Sequence, residues 1–219
     1  MVRPILPPII PVQPVAASGD TVAKIIGNIF LYAAVLCIFT LAAWIMLRKS
    51  KNELNNPKTV PALLAFIGVG LILLLLHGVT LLSVKGMILC MILMWASISD
   101  IAKHEVPDFI SAAVLILAFV GFEPANLPSM IVGAAVLFIP QLAVSMLRPA
   151  RAIGGADMKL SAALGFLLGA EKGLFAVITG LTVSVIFVLI VRKIRKESNK
   201  EPFALVPFLG FGAMLAFII

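Results

Sequence analysis

The stretch Met87-Ile-Leu-Cys-Met-Ile-Leu-Met-Trp95-Ala-Ser-Ile-Ser-Asp100 decides the fold. It belongs to an apolar segment over about 84–101, and a membrane-spanning helix needs about 20 mostly apolar residues. The segment ends in a carboxylate, which is a costly group close to a bilayer and indicates a functional site there. The stretch therefore predicts a membrane helix with a candidate functional acid at one end.

Seven further apolar segments lie around this one, so about eight membrane helices are expected. Of the 219 residues, 62% are apolar and 12% are charged, far from the mix of a soluble domain. Eight spans take up roughly 160 residues, which leaves no room for a soluble catalytic domain. A soluble enzyme, a disordered chain and a nucleic-acid-binding domain are excluded. The eight segments run over about 22–47, 60–82, 84–101, 107–122, 130–147, 157–170, 173–191 and 203–219.

The basic residues predict the orientation of these segments, because cytoplasmic loops of membrane proteins are rich in Lys and Arg. When alternate gaps are placed inside, most of the 17 basic residues fall in the inner loops. Both termini are then predicted outside, and Asp100 and Asp157 lie at the cytoplasmic face. The inner loops hold Arg48, Lys49, Lys51, Lys58, Lys103, Arg148, Arg151, Arg192, Lys193, Arg195, Lys196 and Lys200.

Neither the N-terminal region nor the two cysteines indicates a metal, a cofactor or a disulfide. Residues 1–21 contain five prolines and are predicted to form an extended tail. Cys37 and Cys90 lie inside apolar segments and form no Cys-x-x-Cys pair, so both are expected to be buried structural residues.

Two of the ten acids stand out from the others, which lie in basic loops or at outer edges. Asp100 ends its segment, and Asp157 follows Gly154-Gly155-Ala156 at the start of the next inner-face helix. Each has a structural alternative: Asp100 as a solvated loop residue, and Asp157 as a helix N-cap after a glycine turn. Because the two acids are expected at the same membrane face on separate helices, the sequence predicts that they form a catalytic pair.

Two carboxylates that lie close together share one proton, so one group is ionised and the other is neutral. A pair in this state can catalyse hydrolysis. The ionised group takes a proton from water, while the neutral group hydrogen-bonds the scissile carbonyl. A helix N-terminus favours negative charge and a C-terminus disfavours it. The sequence therefore predicts an ionised Asp157 and a protonated Asp100.

Three motifs in this order resemble the type IV prepilin peptidase family, the GxGD-type membrane aspartyl proteases. The first runs from Asp100 through Val106-Pro107-Asp108, and the second is Gly154-Gly155-Ala156-Asp157-Met158-Lys159-Leu160. The third is the closing stretch from Pro202-Phe203 to Pro207-Phe208. The resemblance covers about 85–219, some six segments.

This resemblance implies an all-α polytopic membrane protein with a six-helix catalytic core over 84–219 and two additional helices over 22–83. It implies an aspartic endopeptidase of the cytoplasmic (inner) membrane, in a type IV pilus or protein secretion system. The partner would be a prepilin or pilin-like precursor with a short basic leader and a long apolar helix. Asp100 and Asp157 would be catalytic; the site-shaping or substrate-contacting residues would be Gly154, Gly155, Ala156, Lys159 and Pro107.

The chain departs from the family pattern at three places. Ala156 stands where the second glycine is usual, and its small methyl group is expected to be tolerated. Asp108 replaces a usual Asn and adds a charge near the site. Longer family members carry an N-terminal cytoplasmic domain with four cysteines and methylate the new N-terminus, and nothing in this sequence matches that domain.

Other functions remain open at this point. A signal-peptide-peptidase-like or presenilin-like protease would pair its Gly-x-Gly-Asp element with a Tyr-Asp motif, which this sequence lacks. A proton-coupled small transporter would use the two acids as a relay and should show internal repeats. A non-catalytic membrane protein of pilus or secretion assembly would not require both acids.

Overall fold

The computed structural model describes residues 18–53, 59–147, 154–195 and 204–219, and these residues form α-helices without any strand. The all-α prediction is thereby confirmed for this part of the chain. The helices are α1 (Ser18–Glu53), α2 (Thr59–His77), α3 (Leu81–Lys103), α4 (Asp108–Ala118), α5 (Leu127–Leu147), α6 (Gly155–Arg195) and α7 (Val206–Ile218), with a 3-10 helix at Pro124–Asn126.

Helix α6 consists of two helical segments that meet at Gly169, whose φ of 79° and ψ of −179° are not helical. The Cα of Gly165 lies 3.1 Å from the position that a Cβ on Gly173 would take. Eight residues of continuous helix would separate the two by about 12 Å, so the chain reverses direction at Gly169. Across this turn, the N–H of Ala170 donates to the Ser129 hydroxyl at 3.2 Å. The predicted segments 157–170 and 173–191 are the two arms of α6.

Five stretches are long and apolar enough to cross a membrane, as expected of a multi-pass membrane protein. They are Gly27–Lys49, Val60–His77, Leu81–Lys103, Pro124–Leu147 and Gly155–Val191. Two other apolar helices, α4 and α7, are shorter than a full span. The predicted eight crossings are therefore not confirmed, because the predicted segments 107–122 and 203–219 form helices shorter than a full span.

The buried core surrounds α3, which packs against α2, α4 and α7. Leu89 and Leu93 of α3 are buried at its centre, together with side chains from α2, α4, α6 and α7. The core residues from those helices include Ile110, Val114, Leu160, Leu164, Ala213 and Phe217. Helix α5 packs along α6 on the far side, where Gly133 faces the backbone of Gly165. Helices α3, α4, α6 and α7 thus form one packed unit that contains both candidate acids.

Polar groups tie down the end of α3 opposite Asp100. The Thr80 hydroxyl accepts the N–H of Ser83 at 3.3 Å and caps the start of the helix. Lys85 lies in the first turns of α3. Its ammonium group donates to the carbonyl oxygens of Val120 (2.8 Å) and Ala118 (3.4 Å). These bonds satisfy carbonyls left free at the C-terminus of α4.

Candidate active site

Asp100 lies in the last turn of α3, close to where the helix stops. His104 adopts a left-handed conformation (φ 52°, ψ 33°), and its N–H donates to the carbonyl oxygen of Asp100 at 2.9 Å. Among the described residues, His104 is the one residue other than glycine with a positive φ. A side chain makes this conformation costly, so surrounding contacts must hold the helix end in place.

Three such contacts follow Asp100. The buried Ser99 hydroxyl donates to the carbonyl oxygen of Glu105 at 2.7 Å, and Val106 is buried against the core. Pro107 lies at the N-cap position of α4, one residue before the helix starts at Asp108. The apolar segment predicted over 107–122 begins at Pro107, so the helix starts one position later than that segment. The restricted φ of Pro107 still limits the freedom of the turn after Asp100.

The Asp100 carboxylate points to the start of α7. Its side chain is buried, and its Oδ2 accepts the N–H of Val206 at 2.9 Å. The N–H of Leu205 also interacts with this carboxylate, and the imidazole of His104 is close enough for its charge to act on it. Free N–H groups at a helix N-terminus make a good site for an anion. The carboxylate of one helix is therefore bound by the first residues of another.

Asp157 lies in the first turn of α6 and is half-buried. A Cβ on Gly154 would lie 3.2 Å from its Oδ2, so the carboxylate rests directly over that glycine. Gly154 thus belongs to the site because a side chain there would press on the carboxylate. The structural alternative, Asp157 as the N-cap itself, does not hold, since the helix already begins at Gly155.

The structure places Asp100 and Asp157 at the same end of the helix bundle, where the charge of Asp100 acts on Asp157. It also changes the argument about which one holds the proton. That argument considered only the helix that carries each acid. Because Asp100 also contacts the N-terminus of α7, both carboxylates now lie at a helix N-terminus. The helix dipoles no longer distinguish them, and the assignment of the proton stays a prediction.

Gly155 and Ala156 take different places beside Asp157. A Cβ on Gly155 would meet no atom within 4 Å, so this residue leaves open space next to the carboxylates. Ala156, which stands at a usual glycine, is partly buried and packs against the core cluster. Its φ is not positive, so the methyl group fits without backbone strain.

Lys159 binds a residue that we had noted only as a departure from the family pattern. Its ammonium group contacts both carboxylate oxygens of Asp108 at 2.9 Å. The pair joins the start of α4 to the start of α6, and both side chains are largely exposed. Lys159 therefore contributes to the site through the helix that follows Asp100.

An apolar groove of about 820 Å³ runs between α2, α3 and α7, and the residues that follow Asp100 and Val206 in the chain line one part of it. Its lining includes Ile101, next to Asp100, and Pro207, next to Val206. The groove continues along α3 through Ile98, Met94 and other residues as far as Cys90. Among the residues that the structure describes, no three His, Cys, Asp or Glu side chains cluster as a metal site would require.

These features define a class of protein: a helical membrane protein with two carboxylates at helix ends on the same side of the bundle. Residues 87–191 match the model of the type IV leader peptidase family, so the resemblance found in the sequence is confirmed. The match contains both Asp100 and Asp157 and supports a leader-peptidase-like protease, a hydrolase, in general. No curated protein and no solved structure matches the chain.

Sequence reasoning missed the backbone donors of Leu205 and Val206 and the role of Asp108. The donors left a partial signal, because the closing motif places Pro207 where a helix begins. A helix start is a possible anion site, but no sequence rule says which acid reaches it. Pro202 and Phe203 of that motif, residues 1–17 and five of the twelve inner-loop basic residues (Lys58, Arg148, Arg151, Lys196 and Lys200) lie outside the described residues. Residues 18–21, predicted as the end of the extended tail, belong to α1 instead.

Proposed function

We propose that this protein is a membrane aspartic endopeptidase that removes the short basic leader of type IV pilin-like precursors at the cytoplasmic face. The observation that carries the proposal is the placement of Asp100 and Asp157, 57 positions apart in the chain, at one end of the helix bundle, within a region that matches the type IV leader peptidase family. Paired carboxylates suit peptide hydrolysis without a metal or cofactor.

In this reaction the ionised carboxylate of the pair takes a proton from a water molecule. The water oxygen attacks the scissile carbonyl carbon, and the neutral carboxyl group gives its proton to the carbonyl oxygen. When the tetrahedral intermediate collapses, the C–N bond breaks and a proton moves to the leaving amine. The N–H groups of Val206 and Leu205 keep the Asp100 carboxylate in place throughout.

The groove between α2, α3 and α7 suits a precursor that continues as an apolar helix. Its lining is mostly apolar and includes Ile101, the residue that follows Asp100. The helix of the precursor would lie in the groove, with the scissile bond at the carboxylates and the basic leader in water. Cleavage would release the leader and leave the mature helix in the bilayer.

The decisive experiment is cleavage of a pilin-like precursor with a basic leader by the reconstituted protein. We expect the wild-type protein to yield the shorter product and both Asp100→Asn and Asp157→Asn to lose at least about 10³-fold in kcat, because either change removes one half of the acid–base pair. The matched control is Glu171→Gln, an exposed acid beyond the turn at Gly169, which should cut like the wild type. Normal cleavage by either Asn variant would refute the pair.

The same variants distinguish the other classes of function. A transporter or a non-catalytic assembly protein would leave the precursor uncut in every sample, the wild-type protein included. Loss of cleavage in the two Asn variants alone, with normal expression and membrane insertion, would support the protease.

A further inference from the structure

We propose that the ion pair between Asp108 and Lys159 is a positioning device that fixes the distance between the Asp100 and Asp157 carboxylates. The inference rests on the proposed function. Both carboxylate oxygens of Asp108 lie 2.9 Å from the Lys159 ammonium group. The pair connects the segment after Asp100 with the helical turn that carries Asp157.

On the Asp100 side, the connection is stiff. The Ser99–Glu105 hydrogen bond, the left-handed His104 and the buried Val106 fix the path of the chain from Asp100 to Pro107. Proline at the N-cap restricts the last step before α4 begins. A displacement of Asp108 therefore also displaces Asp100.

On the Asp157 side, the chain has few contacts of its own. Gly154 and Gly155 have no side chains, and Gly155 has open space around it. Ala156 and the buried Leu160 pack on the core. They do not connect the polar face of the first turn of α6 to a neighbouring helix. Within the described ranges, the pair with Asp108 is the salt bridge that ties this turn to a neighbouring helix.

Small displacements matter because hydrolysis needs both carboxylates in contact with one water and one carbonyl group. A misplacement of about 1 Å can lower a rate about 100-fold. Exposed ion pairs are weak, so only part of that loss is expected when this one is broken. We expect kcat for precursor cleavage to fall about tenfold in Asp108→Ala and Lys159→Met, with little change in KM.

Kinetics of a set of variants test the coupling. Lys159→Met keeps the length of the side chain, and its matched control is Lys172→Met on the other arm of α6. Glu123→Ala is the control for Asp108→Ala, since both acids are exposed. The double variant Asp108→Ala/Lys159→Met should be no slower than either single variant. Asp108→Asn should retain most of the rate, because its amide oxygen still accepts a bond from Lys159. Additive losses, or a rise in KM alone, would overturn the proposal.

A second measurement needs neither substrate nor catalysis. Spin labels on Glu105→Cys and Gly155→Cys, in a Cys37→Ser/Cys90→Ala background, report the distance between the two turns by electron paramagnetic resonance. We expect a narrow distance distribution that broadens in Asp108→Ala and in Lys159→Met and narrows again in the exchange Asp108→Lys/Lys159→Asp. An unchanged distribution in both single variants would overturn the positioning role. Broadening in a protein that cuts no precursor would refute the protease while the positioning role stands.

Discussion

The turn after Asp100 and the turn before Asp157 hold their carboxylates in opposite ways. Asp100 is buried, accepts backbone N–H groups from α7, and is followed by a turn with its own hydrogen bonds. Asp157 is half-buried and lies over Gly154, and its carboxylate has no hydrogen bond to any residue in the described ranges. Asp100 is fixed by its hydrogen-bond partners, whereas Asp157 lies over a glycine that has no side chain.

The first prediction tests whether the two carboxylates are held differently. Each one is removed in turn, and the stability of the protein is measured instead of its activity. In Asp100→Leu, the N–H of the buried Val206 loses its acceptor, which costs about 1–3 kcal/mol. We expect the free energy of unfolding in detergent to fall by about 1–3 kcal/mol.

Asp157→Leu is the matched variant, and its free energy of unfolding should change by less than about 0.5 kcal/mol, as at other sites without such partners. Equal destabilisation by the two changes would show that the carboxylates are held alike.

The second prediction adds a methyl group on either side of the peptide bond between Gly154 and Gly155. Gly154→Ala places a carbon 3.2 Å from Oδ2 of Asp157 and should displace the carboxylate by a few tenths of an ångström. We expect kcat for precursor cleavage to fall about tenfold. In Gly155→Ala the new carbon meets no atom within 4 Å, so kcat should stay within about twofold. A larger effect at Gly155 than at Gly154 would contradict the role given to the glycine under Asp157.

The third and smallest effect concerns the turn after Asp100. Ser99→Ala removes the bond to the Glu105 carbonyl and should lower the free energy of unfolding by about 1 kcal/mol. Ser97→Ala is the control, because the Ser97 hydroxyl donates its hydrogen bond to the Leu93 carbonyl oxygen within the same helix. Its free energy of unfolding should be close to that of the wild type. Equal values for the two variants would show that the turn does not depend on its side-chain bond.

Much of the fold could be predicted from local sequence. The structure contains a helix for the segment that ends at Asp100 and a helix start directly after Gly154. It also contains helical arms for the apolar segments on either side of residues 171–172. The number of membrane crossings could not be predicted in the same way. A short apolar segment such as Asp108–Ala118 reads as a helix from its residues, but whether it crosses a bilayer depends on its neighbours.

The candidate site was predicted to a similar degree. Asp100 and Asp157 were identified because acids near apolar segments are rare and costly. The pairing of Lys159 with Asp108 was not foreseen, since the two are 51 positions apart and nothing local connects them. The same holds for Val206, which binds Asp100 across 106 positions.

The sequence by itself determined that the protein is helical, that it belongs in a membrane and that two acids interrupt its apolar pattern. Those properties follow from composition, periodicity and charge, which act on neighbouring residues. Only the tertiary structure decided that the start of α7 binds Asp100 and that Asp108 holds Lys159. These contacts depend on which helix ends converge, and that is set by the packing of the whole bundle around α3.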